Sequence, residues 1–330
     1  MCVGGALSDA FALLDMMFQG TVLGPLVWVL FSLDLPEFIT LQGAVVELFA
    51  DDLTVFKCFP RHTEAPIILD ELRGCQAQAH QWGKLNQAQF APSKESFVTI
   101  SSTQPAGATF RLLGPMIDNR LRMHETVEPI RRKALPRLRA LLRASTSFSL
   151  KTLLSLYTSQ IRSVMESFQA AIYHASATVL KPLDDLQQQF LSHVGLCPEV
   201  AAADHNILPL STRRDIAMLG LLHKRVLGTA PPPFIKLFPM RTINWGRVTR
   251  ATLSRHSKQF EEPRLHTNMQ RNSLLGLTRV YNRLNVYSVS APDVTTFQTG
   301  LTEEVKVALR GGHPTWHLIF SPRREYLGAR

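Results

Sequence analysis

The sequence predicts an α+β chain in three parts: a strand-bearing N-terminal part, an all-α middle part and a basic, mostly helical C-terminal region. Three observations predict it. Two short β-prone runs flank Asp51-Asp52 within residues 44–58. Apolar residues recur at spacings of three and four in several stretches after residue 65. Bases crowd residues 126–143 and 211–283, the latter holding fourteen Lys or Arg against three acids. With 330 residues, 45% of them hydrophobic, the chain can build two or three cores, and a 19% charged fraction excludes wholesale disorder.

The formal net charge is +10, but residues 1–60 hold one base, Lys57, against seven acids, so the excess of base lies entirely downstream. Such segregation suits both a carboxylate site paired with a polyanion-binding surface and a merely solvated basic face. Cys2, Cys58, Cys75 and Cys197 are far apart with no CxxC pair. They predict neither a zinc site nor a disulfide framework, and favour an intracellular setting, nucleus or cytoplasm, over secretion. The apolar run Leu26–Leu35 is interrupted by Ser32 and Asp34. It is far shorter than the roughly 20 residues a bilayer span needs, so no membrane partner is expected. The N-terminus does not read as a signal peptide.

In chain order, Gly24-Pro25 opens a mostly buried helix over residues 25–39 that ends near Pro36, since proline suits a first turn. Residues 44–58 form a tight hairpin with the acids at its tip, anchored by Val46, Leu48, Val55 and Phe56. Ile68, Leu69, Leu72, Cys75, Ala79 and Trp82 mark an amphipathic helix, on which Trp82 is read as core in preference to a base-stacking platform. Residues 94–101 and 110–117 read as strands. From Thr126 a helix interleaves Arg131, Arg132, Lys133, Arg137, Arg139 and Arg143 with Ile130, Leu135, Leu138, Leu141 and Leu142. Leu150–Phe168 and Val179–Val194 are further helices, Pro182 being tolerable only in a first turn. Pro198–Pro209 reads as a linker and Ser211–Leu227 as a helix. Residues 211–283 show little clean periodicity after 234, and that segment reads as loosely folded and nucleic-acid-facing.

Several blocks, in order, resemble those of reverse transcriptases of non-LTR (LINE-type) retrotransposons. Gln19-Gly20-Thr21-Val22-Leu23-Gly24-Pro25 is similar to the block whose loop and helix contact template and incoming nucleotide. Phe49-Ala50-Asp51-Asp52 resembles the catalytic hairpin tip, and Trp82, Leu85-Asn86 and Pro92-Ser93-Lys94 resemble the next block, which ends at a phosphate-facing lysine. Phe110-Arg111-Leu112-Leu113-Gly114 resembles the primer-gripping strand. The segments from Leu156-Tyr157 to Gly195 are similar to the thumb, and Tyr281-Asn282-Arg283-Leu284 with Phe297-Gln298 to the end of such reading frames. The resemblance implies a partial palm over 1–122, a helical thumb over 123–198 and a basic C-terminal region over 199–330.

It also implies RNA-directed DNA synthesis, with an RNA template, a DNA primer, deoxynucleoside triphosphates and Mg²⁺, or Mn²⁺ in its place. Asp51 and Asp52 would be catalytic and metal-binding; Gln19, Gly20, Phe49, Ala50 and Lys94 would meet template and substrate; Leu113 and Gly114 would grip the primer. Arg131, Arg132, Lys133, Arg137 and Arg139 would follow the nucleic acid backbone. Lys94 reads equally as a solvated turn residue. Two Mg²⁺ ions with hard oxygen ligands suit in-line transfer at phosphorus. The family draws a further aspartate from a strand well upstream of the Gln-Gly block, but only 18 residues precede Gln19, and neither Asp9 nor Asp15 has that setting. The chain alone is therefore expected to be inactive. Two other readings remain open: a non-catalytic nucleic-acid-binding remnant, and a decayed reading frame without selected function.

Overall fold

The computed structural model describes residues 2–3, 6–7, 21–40, 43–241 and 256–323. It is mostly helical with a small antiparallel component, consistent with α+β, and it divides into two compact units, Met1–Thr99 and Ile100–Arg330. The boundary expected at residue 122 falls inside the second unit, and so does the one at 198.

In the first unit, strands β1 (Cys2–Val3) and β2 (Ala6–Leu7) pair as a minimal ladder. Helix α1 (Gly24–Phe31) then leads to the single turn α2 (Leu35–Phe38). The continuous buried helix expected over 25–39 is thus corrected twice. The helix stops where Ser32 donates its hydroxyl to the Trp28 carbonyl at 2.9 Å, and Pro36 serves to start α2. No residue of α1 is buried; Leu35 and Ile39 alone carry that stretch into the core.

Strands β3 (Ala44–Phe49) and β4 (Asp52–Lys57) form the hairpin, in register from Ala44 opposite Lys57 to Phe49 opposite Asp52. Alternation gives each strand an inner and an outer face. Val46, Leu48, Leu53 and Val55 pack on the core formed by Leu35, Ile39, Cys75, Ala79 and Trp82. Phe56 lies opposite Val45 on the outer face and is 51% exposed, so Leu53 takes the anchoring role expected of it. Helix α3 (Ala65–Leu85) runs beneath and buries Ile68, Cys75, Ala79 and Trp82. Residues 94–101 form no strand. The chain there leaves the turn Pro92–Lys94, Glu95 is held on α3 by Gln76 and by His80 at 3.0 Å, and the remainder reaches only an isolated bridge at Thr99.

In the second unit, residues 110–117 are a small hairpin in place of one strand: β5 (Phe110–Arg111) pairs with β6 (Met116–Ile117). Helix α4 (His124–Arg143) follows, and buries Val127, Ile130, Ala134, Leu138 and Leu141 on one stripe despite Pro129 and Pro136 in its interior. The expected helix from 150 is α5 (Leu150–Leu156), a π-helical segment (Tyr157–Arg162) and the turn α6 (Ser163–Met165), interrupted before Phe168. Leu153, Tyr157, Ile161 and Met165 are all buried at a spacing of four. An α-helix rotates such a stripe by about 40° at each step, and the wider π turn winds it back. The short α7 (Gln169–Ile172) leads to α8 (Ala177–His193), with Tyr157 stacked on Phe190 at 4.2 Å. Pro182 lies in the second turn of α8, beyond the position expected, because Ser176 caps the helix and starts it earlier.

The expected linker contains α9 (Pro198–His205), begun by a proline and ended at Asn206 in the left-handed region. Helix α10 (Leu210–Val226), α11 (Pro232–Leu237), α12 (Asn268–Arg271), α13 (Leu274–Tyr281), α14 (Val286–Val289) and α15 (Val294–Arg310) enclose a second core. The loosely folded character expected of the segment up to 283 is corrected for the described residues. Phe260, Leu277 and Tyr281 are fully buried, and the Asn282 side chain pairs with both the N–H and the carbonyl of Phe260, at 2.8 and 2.9 Å. Periodicity misses this packing because short helices and paired loops build it. Tyr281 donates to His223 Nδ1 at 2.7 Å while His223 Nε2 donates to the Ala291 carbonyl at 3.0 Å, so the imidazole is satisfied as a neutral ring, and burial pushes its pKa down.

Asp215 is buried and receives the Tyr173 hydroxyl at 2.6 Å; desolvation pushes its pKa up to about 7. A raised carboxyl pKa contributes stability that is full below the unfolded value near 4 and is lost as pH rises through about 7. The stability of the native protein relative to Asp215→Asn is therefore expected to fall between pH 4 and pH 7 in urea titrations. A pH-independent difference would contradict the assignment. Leu138→Ala, at a fully buried position of α4, is expected to cost about 2–5 kcal/mol in the same assay.

Candidate active site and nucleic acid interface

The hairpin tip is a two-residue turn, Ala50-Asp51, between Phe49 and Asp52. Of the two, only Ala50 has positive φ, 53°, a left-handed conformation uncommon for a residue other than glycine. A β-carbon is costly there, and one bond helps offset it: Trp28 Nε1 of α1 donates to the Ala50 carbonyl at 2.6 Å. Phe31 lies 5.6 Å from Trp28 and meets Trp82 edge-on at 5.4 Å, and Trp82 Nε1 donates to Asp34 at 3.0 Å. The segment after the Gln-Gly block is thereby tied to the hairpin turn by the Trp28 indole and to α3 by the Phe31 ring against Trp82.

Asp51 and Asp52 are both exposed, and neither carboxylate has a hydrogen bond or ion pair among the described residues. Their oxygens are free to meet a hard cation. Asp52 shares the outer face with Glu47, Phe49 and Thr54, but among the described residues no group of three or more His, Cys, Asp or Glu is gathered as a metal site. Phe49 is 64% exposed beside the tip. Gln19 and Gly20, with Asp9 and Asp15, lie outside the described residues. The described part of their block is a turn in which the Gly24 N–H donates to the Thr21 carbonyl and hydroxyl, at 3.3 and 3.2 Å.

Lys94 is exposed at the end of its one-turn helix, and no ion pair joins it to the tip. Its neighbour Glu95 is held below the usual carboxylate range by the Gln76 amide and by His80. Gln76, His80 and Trp28 escape a reading of the sequence alone. Trp28 does carry a usable signal, an indole in an apolar run needing a partner for its N–H.

In the second unit, Leu113 and Gly114 form the tip of the β5–β6 hairpin, with φ of 49° and 118°. A β-carbon on Gly114 would lie 2.9 Å from the Phe168 ring, so both backbone angle and space demand glycine. Thr126 of α4 donates to the Met116 carbonyl and fixes this hairpin on the helix. On α4, Arg132, Arg139 and Arg143 recur at seven and four residues and therefore share one exposed line opposite the buried stripe, flanked by Lys133. Arg137 donates to the Gln160 carbonyl at 3.0 Å, and Arg131 pairs with Glu128 at 3.2 Å. These two are engaged internally; the other four have no ion pair among the described residues. Such a row of guanidinium and ammonium groups can neutralise phosphates along a strand.

Among the described residues, no helix is long and apolar enough to cross a membrane. No family model, curated protein or solved structure matches the chain.

Trp28→Phe keeps a ring against Phe31 and removes the bond to Ala50. Its expected outcome is faster amide hydrogen exchange at the turn, with a global stability change of about 1 kcal/mol. Unchanged exchange at residues 50–52 would show that the indole does not hold the tip.

Proposed function

We propose that this chain carries later palm blocks and the thumb of a reverse transcriptase of the non-LTR, LINE-type retrotransposon class, and that by itself it binds nucleic acid without extending a primer. The observation that carries the reading is the bond from Trp28 to Ala50, which joins the segment after the Gln-Gly block to the Asp-Asp tip. The helix that opens with the last two residues of the first block, Gly24-Pro25, thus reaches the turn that carries the second, which supports the reading.

Two adjacent, unpartnered carboxylates fit the oxygen preference of Mg²⁺ or Mn²⁺, and Asp51 and Asp52 would hold such an ion. The ion would supply charge neutralisation at the transferred phosphate. The resemblance makes Asp51, in the turn, the stronger ligand and Asp52, at the first position of β4, the supporting one. Phe49 and Ala50 border the place where a nucleotide would lie. Two carboxylates leave much of the charge of a two-metal site uncompensated, and alignment of the attacking hydroxyl needs a further ligand. With Asp51 and Asp52 as the two carboxylates this reading assigns to the site, the chain by itself is expected not to extend a primer. Binding of primer and template rests on the α4 row, with deoxynucleoside triphosphate selection left to the hairpin tip.

A second reading, a reading frame without selected function, draws on the exposed apolar side chains of α1 and of the outer hairpin face, including Leu26, Leu30, Val45 and Phe56. Aggregation of the purified chain with a broad thermal transition would favour it.

The test pairs two assays on the full chain. Extension of a DNA primer on an RNA template is expected to be undetectable with Mg²⁺ or Mn²⁺; extension abolished by Asp51→Asn would overturn the inactivity. Binding of the same duplex is expected to weaken steeply with salt and to be unchanged by Asp51→Asn and Asp52→Asn. Replacing Arg132, Arg139 and Arg143 together with Gln should flatten the log–log salt slope by about 2–3, roughly one for each phosphate no longer neutralised. An unaltered slope would remove α4 from the interface.

A further inference from the structure

In the second unit a cavity of about 310 Å³ opens beside α12, α13 and the segment Ile319–Pro322. Three guanidiniums line it. Arg271 ends α12, Arg279 lies in the last turn of α13, and Arg283 follows two residues after that helix. Glu304 is the acid in the lining, and it accepts from Asn285 Nδ2 at 2.7 Å and from the Ser288 hydroxyl. Apolar side chains, among them Leu265 and Ile319, also line it.

The convergence of the arginines depends on one glycine. A β-carbon on Gly276 would lie 1.8 Å from the Arg271 carbonyl oxygen, so glycine alone lets the end of α12 lie against the first turn of α13. That close approach brings Arg271 to the cavity that Arg279 and Arg283 also line. Glu262 sits 3.6 Å from Arg279. A guanidinium carries five N–H donors, so an internal partner does not exhaust its capacity to meet an anion.

We propose that this cavity binds a phosphate-bearing ligand of nucleotide size, with the phosphate on Arg271, Arg279 and Arg283 and the remainder against the apolar side chains. Guanidiniums are the group best matched to phosphate, through paired N–H donors. A bare anion would leave Leu265 and Ile319 without a partner. The assignment does not rest on the polymerase reading, because nothing in it involves the hairpin tip or α4.

Titration calorimetry of the full chain at low salt tests it with inorganic phosphate, a nucleoside monophosphate and a 5′-phosphorylated oligonucleotide. The nucleoside monophosphate is expected to saturate and to bind more tightly than inorganic phosphate. Arg283 is exposed, so Arg283→Gln spares the core, and it should weaken that binding about tenfold or more. Lys151→Gln, at an exposed base away from the cavity, should leave it unchanged. Oligonucleotide affinity that drops both on removal of the 5′-phosphate and in Arg283→Gln would identify a strand end as the source; a response confined to the mononucleotide would identify the free compound. Absence of saturation with phosphate and nucleotide alike would overturn the proposal. So would equal affinity for the two, or affinities unmoved by both Arg279→Gln and Arg283→Gln.

Discussion

Helix α4 must be apolar along one line and cationic along another, and the second unit is organised around that division. Its buried stripe, Val127, Ile130, Ala134, Leu138 and Leu141, packs against α8 and the π-helical segment. The helix does this with two prolines in its interior, each costing about 3 kcal/mol in an ordinary helix. Full burial of a large aliphatic side chain contributes about 1.5–3 kcal/mol, so the four large residues of the stripe outweigh the prolines. Packing therefore decides that the helix continues, and its continuity decides where the bases point. Arg132, Arg139 and Arg143 form a line because the stripe opposite them is fixed.

The hairpin obeys a similar constraint with a different period. One face of a two-stranded ladder can be buried on α3, and the inner residues Val46, Leu48, Leu53 and Val55 take it. The outer face, with Val45, Phe49, Asp52 and Phe56, is then exposed as a consequence. A register slip of one residue would exchange the faces and bury Asp52. The tip also carries a conformational cost, since Ala50 holds a positive φ that glycine or asparagine would adopt more readily. The indole bond from α1 is the compensating contact. A helix with no buried residue is thus held by two side chains, Trp28 on the turn and Phe31 on Trp82.

Those same contacts explain what can be read in the sequence. The hairpin, its acids and the helix of Trp82 are legible because alternation and three-four spacing record burial directly. The exposure of α1 is not, since an apolar run looks the same whether something covers it or not. Phe56 reads as an anchor when hydrophobicity is weighed above parity along the strand, and parity is what the hairpin obeys. Residues 94–101 have strand-like composition, but Gln76 and His80 hold Glu95, and side chains so remote in sequence leave no local trace. Pro182 and Pro198 mislead in opposite directions. The Ser176 cap sets the first helix far enough upstream to enclose its proline, and the second proline opens a helix where a linker is expected. In the candidate site, the acids can be read and the bond that holds them cannot.

Charge is distributed so that the candidate functional groups stay unneutralised. Lys57 pairs with Glu71 under the hairpin, and Arg213 and Arg214 pair with Glu166 and Asp184 within the second unit. Each unit thus consumes its structural charges internally. Asp51 and Asp52 on one unit, and Arg132, Lys133, Arg139 and Arg143 on the other, are left exposed and without ion pairs among the described residues. Exposed like charges held near one another repel, and a solvated surface salt bridge contributes at most about 1 kcal/mol, so little stability is forgone by leaving them apart. Unpaired, the carboxylates can take a cation and the guanidiniums a polyanion without first breaking an internal pair. That arrangement suits a protein whose ligands are themselves charged, and it places the cost of desolvation on binding, where it can select the partner.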